Sequence, residues 1–70
     1  MNEELEVAKV RIFGLLNKAA IGKYSLGGEG KEIIKSLLYY RELLPNFYEK
    51  HEIENLIEMI NLGLARLEAE

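Results

Sequence analysis

The sequence predicts an all-α chain, a three-helix bundle-like domain over residues 1-70 that is completed by self-association. Three observations lead there. Apolar residues recur at helical spacing in three separate stretches. The β-branched residues do not alternate with polar ones, so nothing reads as a strand. Two joints punctuate the chain, a glycine-rich segment over residues 22-30 and the single proline, Pro45. The expected helices run from about 3-20, 30-44 and 46-68.

In the first helix, Asn2 is placed to cap, and Glu3, Glu4 and Glu6 suit the positive end of the helix dipole. Leu5, Ala8, Ile12, Leu15, Leu16 and Ala19 gather on one face, with Phe13 and Ala20 beside it. Val7, Val10 and Gly14 lie on the other side. A helix that is apolar on two sides touches two neighbours. Gly14 costs about 1 kcal/mol of helix propensity relative to alanine, so another backbone is expected to come close there.

The second helix carries Ile33, Ile34, Leu37, Tyr40 and Leu44 on its apolar arc, with Leu38 at the edge. Pro45 disfavours helical geometry at Leu44 and stops the element. Asn46 is the expected cap of the third helix, with Glu49 as its reciprocal capping-box partner; a start near Lys50 would instead leave Phe47 and Tyr48 in the turn as plugs. The third helix has the cleanest pattern. Ile53, Leu56, Ile57, Ile60, Leu64 and Leu67 form a narrow seam, and Gly63 would let a partner helix come near. The short connection at Pro45 makes helices two and three antiparallel neighbours.

Composition narrows the chemistry. There is no cysteine and a single histidine, His51, so disulfides, thiolate metal sites and His-rich sites within one chain are excluded. His51, Glu52, Glu54 and Glu58 make a thin ligand set that reads as an acidic solvated face. No cofactor or metal is expected, and no nucleophile has a base at recognisable spacing, so catalysis is not expected. The hydrophobic share is 49%, high for a chain too short to hide it in one core, which favours a homodimer or higher homo-oligomer. No apolar run reaches the roughly 20 residues of a membrane span, and the acidic start is unlike a signal peptide, so a cytoplasmic protein is expected. Glu and Lys are abundant while Gln, Thr, Asp and Cys are absent, a hyperthermophile-like balance.

The stretch GKYSLGGEGKE, residues 22 to 32, raises the question of a phosphate loop. Aligned on Gly30-Lys31, it has Ser25 at the first glycine position and Glu32 where a hydroxyl should hold magnesium, and a helix rather than a strand leads in. It is read as an interhelix connection, with Ile21, Tyr24 and Leu26 tucking it onto the core. A weak anion site on Lys23, Gly28, Gly30 and Lys31 is the functional alternative. So long a joint leaves the first helix to be positioned by packing, on its own chain or on another subunit.

Arg41 falls inside the apolar arc of the second helix, where its stem can snorkel or its head can pair with a glutamate across an interface. Tyr39, Tyr40, Phe47 and Tyr48 cluster around the second joint, the favoured partner-contact region. Together these give an expected interface of Val7, Val10, Gly14, Tyr40, Arg41, Phe47, Tyr48, Leu62 and Gly63, and a non-catalytic helical interaction or oligomerisation module, such as an accessory subunit of a larger assembly. The rival is a small nucleic-acid-associated regulator using Lys31, Lys35 and Tyr39. The charge split sets its basis and its limit. Residues 1 to 41 hold seven cations against five glutamates, whereas residues 42 to 70 hold Lys50 and Arg66 against seven glutamates. The basic half is dilute and the acidic half would repel a wrapped strand.

Overall fold

The computed structural model describes residues 3–21 and 28–69. Three α-helices, α1 (Glu3–Ile21), α2 (Gly28–Leu43) and α3 (Lys50–Ala69), pack against one another, with a single 3-10 turn at Leu44–Asn46 between the last two. The molecule is elongated, 37 × 18 × 17 Å, as three helices of four to six turns laid side by side must be.

Helix directions follow from which residues meet. Lys9 reaches Glu52, and Leu16 lies over Gly63, so numbers rise together and α1 runs parallel to α3. Leu37 approaches Gly63 while Arg41 bonds Asn61, so α2 runs antiparallel to α3, as the short connection predicts. The arrangement is up-down-up.

The core is built from the expected faces. Leu5, Ala8, Ile12 and Ala19 come from α1, Ile33 and Leu37 from α2, and Ile53, Leu56, Ile60, Leu64 and Leu67 from α3. Leu44 closes one end from the turn. Leu15, Leu16, Ile34 and Ile57 complete it as half-buried flanks. Among the described residues no polar or charged side chain is buried. Hydrophobic burial therefore holds the three helices together with no buried hydrogen bond to fix their register. No described helix is long and apolar enough to cross a membrane.

The joint between α2 and α3 differs from the capping-box expectation. Pro45 holds Leu44–Asn46 in a 3-10 turn, and Phe47 is extended, with its amide donating to the Leu44 carbonyl at 3.0 Å. Asn46 does not cap α3. Its side-chain Nδ2 donates backwards to the Leu43 carbonyl at 3.1 Å and satisfies an open acceptor at the end of α2. The Ile53 amide donates to the Glu49 carbonyl at 2.9 Å, which opens α3 at Lys50. Of the two aromatic plugs, Phe47 packs against the core, whereas Tyr48 is 96% exposed.

The first joint is also shorter than the expected 22-30. Gly28, Glu29 and Gly30 form the first turn of α2, and Gly30 is buried. Asn2, Lys23, Tyr24, Ser25 and Leu26 lie outside the described residues, so the cap of α1 and the tucking of Tyr24 and Leu26 do too. Ile21, expected to fold onto the core, instead ends α1 at 74% exposure.

Candidate functional site

Helix α1 presents two apolar faces, and its own chain covers one of them. Leu5, Ile12 and Ala19, seven residues apart, point into the core. On the opposite side, Val7, Val10, Gly14, Asn17 and Ile21 follow one another at alternating steps of three and four. That spacing draws a single narrow stripe along a helix. All five are exposed, Val7 at 53% and Val10 at 71%. At Gly14, no described residue lies within 4 Å of where a Cβ would stand, so the close backbone expected there does not come from the described part of this chain.

Beside the stripe runs a groove between the N-terminal half of α1 and the C-terminal end of α2, about 470 Å³ in volume. Val7, Ala8, Tyr40, Leu43 and Phe47 wall it, and Glu3, Glu4, Arg11 and Tyr39 stand at its rim. The Tyr39 and Tyr40 rings meet edge to face, with centroids 5.2 Å apart and an interplanar angle of 74°. A smaller hollow of about 280 Å³, with Gly14, Lys18 and Ser36 in its lining, continues along the same seam. A third, of about 220 Å³, lies between α1 and α3 around Ala20, Met59, Leu62 and Gly63.

The structure sorts the expected interface residues into two groups. Val7, Val10, Gly14, Tyr48 and Leu62 are exposed. Tyr40 and Phe47 are half-buried on their own core, so much of their surface is already used within the chain. Gly63 is half-buried and has the expected neighbour close by. A Cβ there would meet Leu16 Cδ2 at 2.6 Å, so the helix that comes near Gly63 is α1 of the same chain. Arg41 is half-buried, and its guanidinium donates to Asn61 Oδ1 at 2.8 Å; of the two expectations, a snorkelling stem or a glutamate partner, the head finds a partner across the α2–α3 seam, but it is an amide.

Lys31, Lys35 and Tyr39 are exposed on α2. At the start of that helix Glu29 already supplies a carboxylate to the positive end of the dipole, which weakens the case for an anion at Gly28 and Gly30. Among the described residues no three histidine or acidic side chains come together as a metal site. Glu52, from the thin His51 set, is instead engaged by Lys9.

Lys9 was missed by sequence reasoning. Its Nζ lies 3.1 Å from both Glu6 Oε2 on its own helix and Glu52 Oε1 on α3. These two acceptors, Glu52 first, raise the lysine above its ordinary pKa. The Glu6 spacing was legible as i, i+3. The Glu52 contact was not, because it depends on α1 and α3 running parallel. Ile21 was legible as well, since it continues the three-four spacing from Val7, but its place beside the glycine joint suggested a loop anchor. No protein-family model matches the chain, and no curated protein or solved structure matches it either.

Proposed function

We propose that the protein is a non-catalytic helical interaction module that works through self-association. One observation carries this: α1 buries one apolar face in its own core and leaves a second, equally regular one exposed at Val7, Val10 and Ile21. Leaving such residues in water forgoes roughly 25 cal/mol for each Å² of apolar surface that a partner could cover. The groove next to the stripe supports the reading, since aromatic side chains with polar tips suit a contact that is apolar at its centre and wet at its rim.

The test is solution mass by light scattering across a range of protein concentrations. A mass at a multiple of the 8.0 kDa protomer is expected at the upper end. A strict monomer throughout overturns the self-association. A retardation assay at low salt serves the rival: with the lysines of α2 dispersed, no shift of a nucleic-acid probe is expected.

A further inference from the structure

We infer that the occupant of the outer α1 face is α1 of a second copy, lying antiparallel across a two-fold axis. This rests on the self-association reading and adds to it the surface, the orientation and the register.

The stripe is complementary to its own reverse. A two-fold axis at the level of Ile12 sets Val10 against Gly14 of the second copy, and Gly14 against the second copy's Val10. The two residues fit as knob and slot, because the space above Gly14 is open in the protomer and Val10 stands out from the surface. Val7 comes opposite Asn17 of the second copy. A parallel pairing would instead stack Gly14 on Gly14, leaving a void, and would face Glu3 with Glu3. It would also align the two helix dipoles, which the antiparallel pairing opposes.

The flanks agree. On the side nearer α2, Glu4 falls opposite Lys18 of the second copy, and symmetry repeats that pair. Glu4 and Lys18 are both exposed, with charges of opposite sign at the two ends of α1. On the other side the partly exposed Phe13 meets its symmetry mate near the axis, a short aromatic pair. Two encounters are unfavourable: Ile21 comes opposite Glu3 of the second copy at each end of the pairing, and Arg11 meets Arg11 of the second copy. The two arginines are exposed, where like charges are screened at physiological salt, and Arg11→Gln is expected to tighten the dimer. A contact of one helix pair about 28 Å long is at the small end of specific interfaces, so association should depend visibly on concentration.

Two experiments test the pairing. The natural chain has no cysteine, so engineered thiols report cleanly. Val10→Cys and Gly14→Cys proteins, mixed and oxidised, should form a disulfide-linked dimer in the mixture far above either variant alone. In the second, Gly14→Leu fills the slot: it should abolish the dimer in light scattering while leaving the melting midpoint of a dilute sample unchanged or higher, because leucine is the better helix former. Cross-linking of Val10→Cys with itself, or an oligomer indifferent to Gly14→Leu, overturns the antiparallel α1 pairing and leaves self-association standing. A wild-type chain that stays monomeric at every concentration overturns both.

Discussion

Gly14 and Gly63 each sit inside a long helix, and the two sites differ in what stands over them. Over Gly63 lies Leu16 of α1, so close that a methyl group would collide with it. Over Gly14, no described residue comes within 4 Å of where a Cβ would stand. The first glycine is accounted for by the fold, as the position at which α1 and α3 come together. The second costs helix propensity and returns no contact in the protomer. The same contrast separates the two faces of α1, one sealed by Leu5 and Ile12, the other carrying Val7 and Val10 into water. On the self-association proposed above, the return for Gly14 comes from a second copy.

The contrast can be broken most forcefully on α1 itself. Ile12 is fully buried, and Ile12→Ala should destabilise the fold by about 2–5 kcal/mol in urea unfolding. Val10→Ala, two residues away on the other face, should change the stability of dilute protein by no more than about 0.5 kcal/mol. Similar losses at the two positions would mean that α1 does not have one sealed and one open face. Next in size is Gly63→Leu, where displacing Leu16 costs about 1–3 kcal/mol and helix propensity returns about 0.8–1.0 kcal/mol, for a net loss of up to about 2 kcal/mol measured the same way. Its counterpart has the opposite sign. Gly14→Ala should raise the stability of dilute protein by about 0.8–1.0 kcal/mol, because the methyl group enters open space in a helix interior. A loss there would place an unseen neighbour over Gly14 even in the protomer.

The smallest effect belongs to Lys9. Its raised pKa means that the folded state holds the proton more tightly than the unfolded state. The stabilisation is fully present below the ordinary lysine value of 10.5 and is lost as pH rises through the raised value. The difference between wild type and Lys9→Met in thermal unfolding should stay constant through neutral pH and shrink in the alkaline range. A difference that already changes near neutral pH would assign it to lost packing of the lysine stem.

The joint at Pro45 marks where legibility ended within the fold. That the helix would stop at Leu43 or Leu44 followed from proline's missing amide and its steric demand on the residue before it. That Asn46 would turn back to Leu43 rather than forward into α3 did not follow. An asparagine side chain can serve either helix end, and the choice fell to the extended backbone of Phe47, whose ring packs on the core. On the candidate surface, the outward placement of Val7, Val10 and Gly14 was legible from helical spacing alone. The half-burial of Tyr40 and Phe47 was legible only as one of two readings, Tyr40 on the apolar arc and Phe47 as a plug, because an apolar arc does not say how many neighbours will share it.

By itself the sequence determined the three helices, their buried faces and the two-sidedness of α1, because each of these is a property of residue spacing along one helix. Only the tertiary structure decided that α1 lies parallel to α3, that Leu16 fills Gly63, that Lys9 bridges to Glu52 and that the space over Gly14 stays empty. Those facts depend on which faces meet and in which direction. With an apolar core and no buried polar pair among the described residues, side-chain shape set that geometry, and shape complementarity between helices leaves no periodic mark in the sequence.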